Sequence, residues 1–206
     1  MQRKHNLTSA ARKERTVETV IELCGLEEPA TLTTGDIAEK MGVTQGALFR
    51  HFPSKSSIWE AVIKWVENHL MNRLDNAIEA ADSPVAALRA MFMAHMAFIV
   101  EHPGVPRLLL GQLQKAKQTP AQQMVKALLM SYRQRVDRLL AAGVKSGQLR
   151  TNLNTQAAAT QFIGIAQGLV IQSLMNRDTP IIIDQAPEVF DIYLRGIISD
   201  DLSSTL

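Results

Sequence analysis

Apolar residues recur at helical spacing through almost the whole chain, and that period excludes most fold classes at once. Val17, Val20, Ile21 and Cys24 follow the i, i+3, i+4, i+7 pattern that lines up one stripe of an α-helix. Strand alternation is nearly absent. The only β-branched run is PIIID at 180–184, too short to find a partner sheet. The pattern predicts an all-α fold. With 206 residues, 46% of them hydrophobic, the chain is long enough for one sizeable core or for a small domain joined to a larger one.

Start and stop signals divide the chain into about nine helices. Helix one runs from Thr8 to about Gly25. Helix two has Thr33 as N-cap and Asp36 at the third position, a capping-box-like pair, and stops at Gly42. Helix three starts at Thr44 and ends before Pro53. Helix four is capped by Ser54 and runs to about Ala81. Ser83 and Pro84 open helix five, where a proline at the first position costs no hydrogen bond, and EHPG closes it. Helix six covers PRLLLGQLQ. Thr119 and Pro120 open helix seven, which ends near Ser146–Gly147. Helix eight spans about Asn154 to Asn176, and helix nine about Gln185 to Ser199. The first three helices are short and the later ones longer. Two domains are therefore expected, residues 1–54 and 55–206, joined by helix four without a flexible linker.

Other classes find little support. One cysteine, Cys24, permits neither an intramolecular disulfide nor a cysteine-based zinc site. The N-terminus has no apolar signal region, and the apolar runs are interrupted by Gly, Gln or His before membrane-spanning length. A cytoplasmic protein with no membrane partner is expected. The histidines, at 5, 51, 69, 95 and 102, form no HExxH or comparable spacing, and neither GxSxG nor a phosphate-cradling glycine loop is present. No catalytic residues, metal or cofactor are expected, and an enzyme is the least favoured reading. A net charge of +2 is too small to argue for nucleic acid, so that argument must come from local charge.

Residues 34–53, TGDIAEKMGVTQGALFRHFP, carry that local argument. Ala38 is small enough for a second helix to approach closely, and Gly42 accepts a positive φ in the turn. Ile37, Met41, Val43 and Leu48 are expected to bury the seam of a helix-turn-helix, although a plain helical hairpin uses the same pattern. Helix three then exposes Thr44, Gln45, Gly46 and Ala47, small or polar side chains that do not block a groove. Glutamine reads adenine, and Ala47 suits a thymine methyl. Arg50 and His51 follow, and Lys55 at the start of helix four suits a phosphate. Thr33 and Thr34, at the head of helix two, are further DNA-binding candidates. Arg3, Lys4, Arg12, Lys13 and Arg15 against Glu14 make a basic arm, which is either a backbone-contact surface or a solvated terminus.

The stretch LTTGDIAEKMGVTQGALFRHFPSKSSIWEAV resembles the DNA-binding domain of the TetR/AcrR family of bacterial regulators. The likeness covers about residues 8–65. It rests on the Ile-Ala…Gly-Val turn, on FRHF, and on Ser-Lys opening a long fourth helix. It implies a homodimer that places helix three of each subunit in a major groove of a double-stranded DNA operator. It also implies a larger domain that answers an unidentified small-molecule effector, with helices four and six passing the change to the DNA-binding helices. A repressor is expected. The family commonly has tyrosine where this chain has Phe49, and often where it has His51. Phe49 cannot donate a hydrogen bond to phosphate; His51 can, and binds phosphate better when protonated. An adaptor that kept the fold without DNA binding is the alternative.

In the larger domain the resemblance implies a four-helix dimer interface from helices eight and nine. Gly164, Gly168, Ile171, Gln172 and Met175 are the candidates on helix eight, and Phe190, Tyr193, Leu194 and Ile197 on helix nine. An intrachain contact through the same glycines is the competing reading. For the effector pocket the candidates are Met91, Phe92, His95 and Met96 on helix five, with Trp65, Tyr132 and Gln161. Methionine suits varied apolar ligands, and a mostly apolar pocket needs a few polar anchors. A methionine stripe at helical spacing also suits an ordinary core.

Overall fold

The computed structural model describes residues 8–176 and 180–199. Nine helices form among them. They are α1 (Ser9–Leu26), α2 (Thr34–Met41), α3 (Gln45–Phe49), α4 (Lys55–Glu79), α5 (Pro84–Glu101), α6 (Gly104–Leu113), α7 (Pro120–Lys145), α8 (Thr155–Asn176) and α9 (Pro180–Arg195). The described residues contain no strand, only an isolated antiparallel bridge between Leu149 and Ile198. Arg3, Lys4 and His5 lie outside them.

The helix starts follow the local chemistry of their caps. The backbone N–H of Ala11 donates to the Thr8 hydroxyl, that of Ala47 to Thr44, and that of Ser57 to Ser54. Ala86 donates in the same way to Ser83, Gln122 to Thr119, and Ala157 to the Asn154 carbonyl oxygen. Each satisfies a donor that the first helical turn leaves open, and each contributes roughly 1 kcal/mol.

α9 departs from expectation. It begins at Pro180 rather than Gln185, so PIIID is its first turn, and it ends at Arg195. Ile182, Ala186, Phe190 and Tyr193 are all buried along one face. That continuous stripe outweighs the β preference of three consecutive isoleucines, a preference worth well under about 1 kcal/mol per residue. Pro180 takes the first helical position, where its missing N–H costs nothing. Beyond Arg195 the backbone turns to the bridge, with Arg150 N–H donating to the Ile197 carbonyl at 3.1 Å and Ser199 N–H to that of Gln148 at 3.0 Å.

The described residues pack as two compact units. Those of Met1–Glu67 with His102–Lys126 form the first, and those of Asn68–Glu101 with Ala127–Leu206 the second. Packing thus divides the chain inside α4 and α7 rather than at residues 54 and 55, and it groups α6 with α1. Gly104 shows why. A Cβ on it would stand 2.0 Å from the Ile21 carbonyl oxygen and 2.7 Å from the Gly25 nitrogen, so the two helices meet backbone to backbone. Val20, Ile37, Ile58, Val62, Val105 and Leu108 are fully buried in the first unit.

The core of the second unit is aromatic. Phe92 stands 5.5 Å from Phe162 and 5.4 Å from Phe190, and Phe162 stands 5.7 Å from Tyr193. Such pairs contribute about 0.5–1.5 kcal/mol each beyond the area they bury. The Tyr193 hydroxyl donates to the Ala158 carbonyl, so its polar end is satisfied. At the rim, Arg135 grips Asp75 through two bonds of 2.6 and 2.7 Å, which holds the carboxyl below its usual range. α5 and α8 are long and apolar enough to cross a membrane by length and composition, which amends the expectation that no apolar run reaches that length. In the fold, α5 and α8 bury Leu88, Met91, Phe92, Ala159 and Phe162.

Candidate nucleic-acid interface

α2 and α3 are joined through Gly42, whose φ of 65° is the left-handed conformation that glycine adopts without steric cost. The Gly42 N–H donates to Ala38 and Glu39, and Val43 N–H to the Ala38 carbonyl at 2.9 Å. Ile37, Ala38, Leu48 and Phe52 are buried in this unit. Val43, expected in the seam, is instead 42% exposed, and Met41 is only half-buried. Val43 follows the left-handed residue directly and stands outside the turn, while Leu48 and Phe52 fill the interior.

The capping box of α2 holds Thr33. Its N–H and hydroxyl donate to the Asp36 carboxylate at 2.7 and 2.8 Å, and Asp36 N–H donates back to the hydroxyl at 3.2 Å. These bonds, the backbone one foremost, keep the Asp36 carboxyl below its ordinary range. Thr33 is therefore engaged locally, and Thr34, beside it, faces α3. The Gln45 amide nitrogen donates to the Thr34 hydroxyl at 2.7 Å.

α3 is five residues long. Thr44, Gln45 and Gly46 are exposed, and Ala47 is half-buried. A Cβ on Gly46 would meet nothing within 4 Å, so open space lies above it. Phe49 is 41% exposed and Arg50, the C-cap, is exposed. Half-buried His51 brings its Nδ1 to 3.2 Å from the Ser9 hydroxyl, linking the end of α3 to the first turn of α1. Lys13 and Arg15 are exposed on α1. Lys55 is half-buried, its ammonium 5.7 Å from the Trp59 ring centroid. The thiol of buried Cys24 is pushed up to about 12 by desolvation, which leaves it a neutral packing group.

The effector candidates separate. Trp65 belongs to the first unit, where it stands edge-on to His102 at 5.1 Å. Met91, Phe92, Met96 and Tyr132 are buried in the second unit, and Gln161 is exposed on α8. His95 Nδ1 lies 3.1 Å from the Tyr132 oxygen. His95 is half-buried, and desolvation lowers its pKa to about 4. His95 is thus neutral at pH 7. An open cleft of about 360 Å³ lies elsewhere in this unit, lined by Asp75, Ile78, Glu79, Arg135, Arg138, Leu139 and Ala142. None of these was an expected site residue, because nothing in their spacing marks a site.

On α8, Gly164, Ile171, Gln172 and Met175 are exposed and Gly168 half-buried. Met175 is 77% exposed, and the helix carries no charged residue. The α9 candidates require correction. Phe190, Tyr193, Leu194 and Ile197 are buried inside their own chain, because their stripe closes the aromatic core. Among the described side chains, the large apolar residues α9 leaves exposed are Ile183 and Ile192, the latter 64% exposed. Among the described residues, no cluster of His, Cys, Asp or Glu is placed to hold a metal ion.

A family model for the bacterial regulatory proteins of the tetR family matches residues 19–62, and one for the tetracyclin repressor-like C-terminal domain matches residues 84–186. A nucleoid occlusion factor, SlmA, of Vibrio cholerae is 32% identical over 101 residues, 48% of this chain and 52% of that protein. The chain spans about half the length of the curated relatives it matches first. Two solved structures share the fold. The ketosteroid transcriptional regulator KstR2 of Mycobacterium tuberculosis has a TM-score of 0.79 at 19% identity, over 92% of this chain and 96% of that one. The Bacillus subtilis regulator FadR, in complex with stearoyl-CoA, has a TM-score of 0.76 at 18% identity, over 89% and 98%.

Proposed function

The chain belongs to the TetR family of bacterial transcriptional regulators, and from that premise we propose that it is a homodimeric, cytoplasmic, ligand-responsive repressor without catalytic activity. The observation that carries the reading is the face of α3: Thr44, Gln45 and Gly46 stand exposed, with Arg50 beside them and nothing large in front. Gln45 and Ala47 read bases there. Arg50, His51, Lys55 and the cations of α1 hold phosphates, and Phe49 packs on sugar. Two such helices, held roughly 34–36 Å apart by the dimer, read a near-palindromic operator. The uncharged outer face of α8, with Ile183 and Ile192 of α9, supplies the dimer contact.

The effector enters the second unit by displacing part of the packing around Met91, Phe92 and Met96. The His95–Tyr132 pair offers it a polar anchor. The stearoyl-CoA held by FadR supports an effector with a long apolar body. Effector and operator disfavour each other reciprocally, each weakening the other by the same factor. The test is salt-dependent binding to the DNA upstream of the chain's own gene, with and without candidate acyl compounds. Affinity no tighter than for random duplex refutes the regulator. An effector that binds tightly and leaves operator affinity unchanged refutes the release mechanism.

The likeness to nucleoid occlusion factors supports a second reading, in which the chain occupies many chromosomal sites rather than one promoter. Mapping occupancy across the chromosome separates the two: one or a few promoter sites support the repressor, and dispersed sites the second reading.

A further inference from the structure

We infer that Thr34 is a positioning residue that holds the Gln45 carboxamide in the orientation that reads adenine. The inference rests on the DNA-binding reading above and narrows it to one base and one supporting side chain. Thr34 opens α2 and Gln45 opens α3; eleven positions apart, they are brought together by the left-handed turn at Gly42. The bond between them is 2.7 Å long and joins an exposed side chain to a half-buried one. A glutamine on an open surface ordinarily samples many rotamers, and fixing it costs free energy when a partner binds. Here the orientation is set before DNA arrives.

The hydrogen-bonding inventory then selects the base. A carboxamide has two N–H donors and one acceptor oxygen. With the N–H anti to Oε1 donated to the Thr34 hydroxyl, the syn N–H and Oε1 remain side by side. In the major groove adenine offers an acceptor, N7, beside a donor, the N6 amine, and this is the complementary pair. Guanine offers two acceptors, N7 and O6, so Oε1 would face O6 with no proton between them. Thr34 thus acts through Gln45 and not by touching a phosphate itself.

The full-length protein, Thr34→Val, Thr34→Ser and Gln45→Ala are each used to select from a random-sequence duplex library. The expected result is an adenine preference of about tenfold at one position per half-site for the unaltered protein, absent in Gln45→Ala. Thr34→Val should lower that preference at least threefold at that position alone, with an unchanged melting temperature, and Thr34→Ser should retain it. Replacing that adenine by 7-deazaadenine, which lacks N7, should weaken the unaltered protein about tenfold and Gln45→Ala hardly at all. A Thr34→Val matrix identical to the original, or weakened evenly at every position, overturns the inference. So does a selected site with no adenine preference that depends on Gln45, and in that case the regulator reading survives. If the unaltered protein selects no sequence, the regulator reading itself fails and this inference falls with it.

Discussion

The two packed units place their informative side chains on opposite sides of the surface. In the first, the residues with functional chemistry point outward: Gln45, Arg50 and Gly46 are exposed over a small interior of Ile37, Leu48 and Phe52. In the second, most of the expected effector residues point inward, with Met91, Phe92, Met96 and Tyr132 buried and His95 half-buried, while Gln161 is exposed. An exposed face meets its partner without any core being opened. An aromatic interior must be opened before a ligand enters, and opening costs packing energy. The contrast teaches that substitutions on the exposed face of α3 should alter recognition without altering stability, and those in the aromatic core of the second unit should lower stability.

The largest expected effect is on the second side of that contrast. Phe162→Ala removes the ring that meets Phe92, Tyr132, Phe190 and Tyr193, and should cost about 3–5 kcal/mol of stability in denaturant unfolding. A variant as stable as the original would mean that this core is already loosely packed. Ile171→Asp comes next. On the proposed α8 interface it sets like charges near each other across a twofold axis and should cost several kcal/mol of dimer stability. Sedimentation should then show monomers, and an intact dimer would move the interface off this face.

Smaller effects belong to the first unit. Gln45→Ala should lose about 1–3 kcal/mol of discrimination at one base position while leaving the melting temperature in place. A fall in stability would show that Gln45 supports the fold and would break the contrast. Lys55→Ala should weaken binding to all sequences alike and reduce the salt slope by about one unit. A change in base preference instead would move Lys55 from phosphate to base contact.

What could be read in advance follows the range of the forces involved. Caps such as Thr33 with Asp36 and Thr119 with Gln122 lie within one turn, so their chemistry is complete in a few consecutive residues. The start of α9 is not legible locally, because three isoleucines carry a β preference and only the distant core that buries Ile182 overrules it. Val43 is ambiguous for a related reason: an apolar residue beside a turn glycine suits either side of the turn. Phe190, Tyr193, Leu194 and Ile197 follow helical spacing, but periodicity cannot tell a protomer's own core from a neighbour's surface. The outward apolar residues Ile183 and Ile192 lie off that stripe and carried no signal.

The sequence by itself determined the helical class, the positions of most helix starts, and the helix-turn-helix with its exposed Thr44, Gln45 and Gly46. Those depend on contacts between residues close along the chain. Only the tertiary structure decided that α6 packs with α1 through Gly104, that Thr34 holds Gln45, and that the aromatic face of α9 is turned inward. Each of these joins residues distant in sequence or chooses between two equally apolar faces. Local propensity is indifferent to such choices, and burial settles them.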